Sequence, residues 1–236
     1  MFQGKKLICF DLDGTLIDSV GIWNQVDADL IQQLSKQTID LQMIQQQRDA
    51  QLKKFRHCAD PYLEYCGFIQ DFYGSTLSKQ QIKTQRYAIS EHYLDNIITL
   101  KPQAELFLQQ LKLQGFELAL TTTTSLHNMQ RYTRNNANIY QKIDFDALFS
   151  LILTRENVQN IKPHPEVYLS ALQYFGLQPE ECLIIEDSLL GVEAAKHAGI
   201  EVIAIYDHYS QHEQDQIQQQ ADAFVQDYAE LLSFIR

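Results

Sequence analysis

Apolar residues along this chain come in two rhythms, and the switch between them divides the sequence. Leu7-Ile8-Cys9-Phe10 is a continuous apolar run, too short for a typical helix and followed by the turn signal Asp13-Gly14, so it predicts a buried strand. From Trp23 to residue 56 the spacing becomes helical: Val26, Leu30 and Leu34, then Leu41, Ile44 and Leu52, with an interruption between Ser35 and Asp40. Asp18 or Ser19 can cap the first of these helices, from about Val20. Pro61 after Asp60 opens another helical segment, which Gly67 ends or interrupts, and Ser78 caps one from Gln80 to Leu94 or beyond. Strand alternation is missing between about Val20 and Asn96.

Beyond Lys101-Pro102 the two rhythms alternate. A helix from Gln103 to Leu113 stops at Gly115 and leads to a strand from Phe116 to Leu120. Helix Leu126 to Asn135 precedes a third apolar run, Ala147-Leu148-Phe149-Ser150-Leu151, and helix Pro165 to Phe175 stops at Gly176. Strand Cys182 to Ile185, helix Leu190 to His197 and strand Val202 to Ile205 follow, then a polar stretch from Ser210 to Gln220 and a last strand and helix from Ala223. This order predicts an α/β fold with a parallel sheet covered on both faces. It also predicts an all-helical insertion directly after the first strand: an α/β core of residues 1–19 and 97–236 and a helical cap of 20–96, placed to close over a bound ligand and exclude water.

Composition narrows the class. The chain has 236 residues, 45% of them apolar, enough for a large core with a smaller lobe. A formal charge of -11 argues against nucleic acid as a partner, since that contact needs clustered lysine and arginine. A small phosphorylated metabolite remains compatible if the site neutralises it locally. Cys9 and Cys182 fall inside strand-like runs as inert buried thiols, and neither they nor Cys58 and Cys66 have ligand spacing. The segment MFQGKKLICF is too short for a secretion signal and no stretch reaches transmembrane length, so no membrane is expected and the cytoplasm is the expected compartment. Monomer and small homo-oligomer are both open.

The predicted strand ends carry the chemistry, as the carboxyl edge of an open α/β sheet commonly does. Asp11 and Asp13 stand two residues apart where the first strand stops, and two acids so close need a cation or hydrogen bonds to offset their repulsion. The plain structural alternative is a strand-to-helix turn with capping aspartates. The second strand ends in Thr121-Thr122-Thr123-Thr124-Ser125, hydroxyls and amides suited to phosphate and equally readable as strand formers with a cap. Lys162 sits in the loop Lys162-Pro163-His164-Pro165, whose prolines can fix where the ammonium points. Glu186-Asp187-Ser188 closes the fourth strand with acids suited to Mg²⁺ and its surroundings. Jointly these fill the roles of covalent phosphoryl transfer: Asp11 as nucleophile, Asp13 as acid and then base, with a cation and a lysine to make attack on an anionic ester feasible.

These motifs, DLDGTLIDS at 11–19, Thr122 after its strand, KPHPEVY at 162–168 and IIEDSLLGVEAAKHAG at 184–199, resemble the haloacid-dehalogenase-like hydrolase superfamily in its phosphatase and β-phosphoglucomutase-like branch with a helical cap. The resemblance runs over nearly the whole chain, although in the cap it rests on placement and helicity. It implies a Rossmann-like sheet ordered 3-2-1-4-5. It implies Asp11 as nucleophile and Mg²⁺ ligand, Asp13 as acid/base and ligand through its carbonyl, Thr122 and Lys162 as phosphate binders, Asp187 as an acidic metal ligand and Glu186 as ligand or orienter of water. The implied activity is Mg²⁺-dependent hydrolysis of a small phosphorylated metabolite through an aspartyl phosphate. A sugar-phosphate mutase and a non-catalytic interaction protein on the same scaffold are the alternatives. Mutase members carry a histidine in the first cap helix where Trp23 stands here, which favours hydrolysis. Serine is commoner than threonine at the second motif, and Asp13 speaks against dehalogenation.

Other polar residues read as structural. His164 and His197 flank the motifs without a required role, and His208 with His212 lacks a third metal ligand. Arg48, Lys53, Lys54, Arg56 and His57 form a basic cluster that reads either as an anion contact or as a charged helix face. Tyr65, Phe68, Phe72 and Tyr73 read as cap core.

Overall fold

The computed structural model describes residues 1–55 and 57–235. The chain folds as two units, residues 1–20 with 98–236 and residues 21–97.

The first unit is built on a sheet of β1 (Leu7–Phe10), β2 (Glu117–Thr121), β3 (Leu151–Leu153), β4 (Cys182–Glu186), β5 (Glu201–Ile205) and β6 (Ala223–Val225), in the order β3-β2-β1-β4-β5-β6. Every neighbouring pair is parallel, so all six strands finish at one edge. β1 lies at the centre, with Phe10 in register with Leu120 on one side and Ile185 on the other. The expected 3-2-1-4-5 order is present, and β6 extends it.

β1 is buried on both faces, which explains its unbroken apolar sequence. Cys9, Ala119 and Ile184 pack with Tyr168 and Ala171 of α9 (Glu166–Phe175) and Val192 and Ala195 of α10 (Leu189–His197). The alternate residue Phe10 meets Phe107 of α5 (Ala104–Leu113) edge to face, and Phe107 in turn meets Tyr228 of α12 (Tyr228–Ser233). Each fully buried large side chain among them, such as Phe10, Phe107 or Ile184, stabilises the fold by about 1.5–3 kcal/mol. α11 (Gln214–Gln220) adds Ile217 to the first of these layers.

Two predicted elements change character. Residues 147–151 are not one strand: α8 (Phe145–Leu148) takes the first part, because Asp144 accepts a hydrogen bond from the Ala147 amide and caps a helical turn. β3 therefore starts only at Leu151. The helix expected over 126–135 is α6 (Leu126–Gln130) followed by one wide π-helical turn, Arg131–Asn135, and then α7 (Ala137–Tyr140).

The second unit consists of α1 (Ile22–Ser35), α2 (Leu41–Phe55), α3 (Pro61–Phe72) and α4 (Lys79–Asn96). Gly67 does not end α3, which runs through it. α1 stops at Lys36, whose left-handed backbone (φ 61°) terminates the helix. Leu30, Ile44, Tyr65, Ile69 and Ile82 form the core, with Tyr65 and Phe68 stacked as expected of core residues. Inside it lies one charge cluster. Asp27, fully buried, accepts from Arg86 Nε at 2.6 Å, from Arg48 Nη1 at 3.3 Å and from the Tyr65 hydroxyl at 3.1 Å. Arg86 also lies 4.6 Å from the centre of the Trp23 ring.

Candidate active site

The site is assembled at the carboxyl edge of β1, β2 and β4. After Phe10 the Asp11 amide still donates to Ile185 O at 3.0 Å, so Asp11 keeps the strand's course and stays buried. The chain then turns on Gly14 (φ +84°), where a Cβ would stand 2.2 Å from Asp187 Oδ2. Only glycine fits this approach. Ser188 caps α10 by accepting from the Gly191 amide at 3.1 Å, and a Cβ on Gly191 would lie 1.8 Å from Glu186 Oε1.

Lys162 is the hub. Its Nζ lies 2.6 Å from Asp11 Oδ1, 2.6 Å from Glu186 Oε1 and 2.9 Å from Thr121 O. Glu186 is engaged at both oxygens. Oε1 also accepts from the Tyr168 hydroxyl at 3.0 Å, while Oε2 accepts from the Asp187 amide, the Ser188 amide and the Ser188 hydroxyl at 3.0, 3.2 and 3.1 Å. Asp187 takes the Thr15 hydroxyl at 2.9 Å and the Ser210 hydroxyl at 3.4 Å.

Carboxylate oxygens of Asp11, Glu186 and Asp187 lie within 4.8 Å of one another, and all three residues are buried. Burial pushes the Asp11 carboxyl up to about 7, with Glu186 and Asp13 adding to the rise and Lys162 opposing it. Burial likewise holds Asp187 well above the usual carboxylate range, helped by Glu186, Asp11 and Asp207. Burial alone would lower the Lys162 ammonium, but Asp11 and Glu186 outweigh it and keep it charged well above its ordinary value. One ammonium thus contacts two of three crowded acids, and an all-oxygen donor set of this kind suits a hard divalent cation such as Mg²⁺.

The threonine row divides its tasks. Thr121 Oγ1 donates to Phe10 O, tying β2 to β1. Thr122, buried beside it, accepts the Thr124 amide at 3.0 Å, which leaves its own hydroxyl hydrogen to be donated elsewhere. Thr124 Oγ1 donates to Asp13 Oδ2, and Ser19 and Tyr132 donate to Asp13 Oδ1.

The structure therefore brings Asp11, Lys162, Glu186 and Asp187 into direct contact or near it, with Asp13 on a neighbouring set of hydroxyls. Sequence reasoning did not single out Thr15, Ser19, Thr124, Tyr132 or Tyr168 as site residues. Tyr168 closes the KPHPEVY motif, and its place in the first turn of α9, six residues after Lys162, was the signal available.

The remaining candidates stay outside. His164 is exposed beside Glu166, and His197 is exposed with Nδ1 donating to Pro163 O at 3.0 Å. Among the described residues, Asp11, Glu186 and Asp187 are the only group of three or more histidine, cysteine or acidic side chains close enough to hold a metal ion, so His208 and His212 form no such site. All four cysteines are free, with Cys9 and Cys182 buried. Of the basic cluster, Arg48 turns inward to Asp27, and Arg56 lies outside the described residues. No helix among the described residues is long and apolar enough to cross a membrane.

Residues 8–205 match the haloacid dehalogenase-like hydrolase family. A phosphoglycolate phosphatase of Pasteurella multocida is 29% identical over 204 residues, covering 85% of each chain, and hexitol phosphatase B of Escherichia coli is 26% identical over 83% of this chain and 81% of its own. CbbY from Rhodobacter sphaeroides, solved in complex with phosphate, superimposes with a TM-score of 0.71 at 25% identity over 96% of each chain. The chain belongs to the haloacid dehalogenase-like hydrolase family, in its phosphatase branch.

Proposed function

We propose that this enzyme is a Mg²⁺-dependent phosphatase that hydrolyses a small phosphorylated metabolite, such as a sugar phosphate, through an aspartyl-phosphate intermediate. The observation that carries the reading is the Lys162 ammonium held 2.6 Å from both Asp11 and Glu186 beside a buried acidic cluster. A lone carboxylate repels an anionic ester. Here the approach is compensated.

In this reading an Asp11 carboxylate oxygen attacks phosphorus, the ester P–O bond breaks, and Asp13 gives its proton to the departing oxygen. Asp13, now a base, takes a proton from water as that water attacks phosphorus. The bond from phosphorus to Asp11 then breaks and inorganic phosphate leaves. Lys162 and the Thr122 hydroxyl hold the phosphoryl oxygens. Asp11, Asp187 and the Asp13 carbonyl would hold Mg²⁺, which would supply charge neutralisation at the phosphoryl group. Glu186, with both oxygens occupied by donors, acts one step removed by orienting Lys162.

Residues 21–97 serve as the cap. Within that unit Trp23 packs edge-on against Tyr87 and under Arg86, and an indole cannot shuttle protons between sugar hydroxyls, which supports hydrolysis over the mutase alternative. Retention of both aspartates, the lysine and the acidic pair supports catalysis over a non-catalytic scaffold role. A phosphate-release screen with Mg²⁺ against sugar phosphates, nucleotides and phosphorylated cofactors tests the reading, with Asp11→Asn as blank. Release above that blank is expected; a broad panel without any would refute it.

A further inference from the structure

Asp11 and Glu186 are tied to an ammonium, whereas the Asp13 carboxylate is held by three neutral hydroxyls. Ser19 Oγ stands 2.5 Å from Oδ1, Thr124 Oγ1 donates to Oδ2, and the Tyr132 hydroxyl stands 3.3 Å from Oδ1. The three donors come from separate places in the fold: the loop after β1, the row after β2, and the π-helical turn beyond α6. Tyr132 is 1% exposed, and within that buried setting its hydroxyl donates to Asp13. π-Helical turns occur often at functional positions, and this one sets a buried phenol against a reacting group.

The two kinds of partner differ chemically. Asp11 and Glu186 each share a charge-assisted bond with one ammonium, whereas three neutral hydroxyls donate to Asp13 and reach both of its oxygens. Fixing both oxygens also fixes the plane of the carboxyl, and proton transfer needs the donor within hydrogen-bond reach of the departing oxygen.

We propose that Thr124 and Tyr132 are positioning residues for proton transfer by Asp13, holding its carboxyl plane so that one oxygen can serve the leaving group and then water. This assignment rests on the phosphatase reading above.

The test uses leaving groups that differ in their need for a proton. p-Nitrophenolate departs without protonation; phenolate is a poorer leaving group and benefits from an acid. The value of kcat/KM for p-nitrophenyl phosphate and phenyl phosphate, measured with Mg²⁺ for the wild type, Thr124→Val, Tyr132→Phe, the double variant and Thr124→Ser, separates positioning from general structural damage. The double variant should lower the phenyl to p-nitrophenyl ratio of kcat/KM roughly tenfold, a fraction of the hundredfold or more that a positioned acid contributes. Thr124→Ser, which keeps the hydroxyl, should retain the wild-type ratio. Parallel losses on both esters, or no loss on either, would overturn the assignment while leaving the phosphatase reading intact. A wild type that releases phosphate from neither ester nor any member of the metabolite panel, behaving as Asp11→Asn does, would overturn both.

Discussion

Lys162 Nζ stands 2.6 Å from Asp11 Oδ1, a contact made across 151 positions of sequence. The same nitrogen is equally close to Glu186, so one buried ammonium balances the proposed nucleophile and the acid that anchors α10. Lys162→Ala should therefore act twice. Turnover of an aryl phosphate should fall by roughly 10²–10³, comparable to removing a preorganised charge-stabilising donor. Folding stability should fall by about 3–5 kcal/mol, because two buried acids lose their partner. Steady-state kinetics and urea unfolding check the two effects separately.

Metal binding should be linked to pH through Asp11. Burial is the main cause that raises its carboxyl to about 7. A group raised above its unfolded value favours folding when protonated, so its contribution is present in full below the ordinary value of 3.8 and is lost progressively as pH rises to about 7. Mg²⁺ needs the ionised form and competes with that proton. The rise in Tm produced by a fixed Mg²⁺ concentration should accordingly be larger above about pH 7 than below it, and should level off once Asp11 is ionised. Thermal melts across that range, with and without Mg²⁺, check the sign.

Gly191→Ala should disable the site from behind. Its added Cβ would meet Glu186 Oε1 at 1.8 Å, the oxygen that also receives Lys162 and Tyr168. Displacing Glu186 turns Lys162 from its place against Asp11. Activity should drop at least roughly tenfold, a misplacement of about 1 Å alone being enough to cost that much. The kinetic comparison is with Gly115→Ala, where no atom lies within 4 Å of the added carbon and only the strained φ of +86° is at issue.

In the helical unit, Asp27→Ala should be more disruptive than any surface change there. It leaves Arg86 and Arg48 without their buried counter-charge, and removing one member of such a cluster costs about 3–5 kcal/mol. Replacing it by asparagine keeps the shape but not the charge and should recover only part of the loss. Denaturant midpoints for both variants give the order.

Much of the fold was legible because the apolar runs of β1, β4 and β5 are uninterrupted and each ends in a polar cluster. Parallel pairing then carried Asp11, Thr122, Glu186 and Asp187 to one edge. The run at 147–151 misled because apolar periodicity ignores a cap: Asp144 starts a helical turn inside it. Within the threonine row, local sequence gives Thr121, Thr122 and Thr124 the same character, and only contacts with Phe10 and Asp13 assign them different work. Arg48 read as an anion contact or a charged helix face for the same reason, since its partner Asp27 sits 21 residues earlier and on another helix. Long-range pairing of polar side chains leaves no periodic trace.

Rapid acid quench of the enzyme with p-nitrophenyl phosphate and Mg²⁺, followed by mass spectrometry of the peptide that contains Asp11, tests the central claim most directly. A phosphoryl adduct on Asp11 that forms and decays within one turnover, and is absent in Asp11→Asn, is the predicted result. Undiminished turnover by Asp11→Asn, with no adduct on the wild-type peptide, would contradict it.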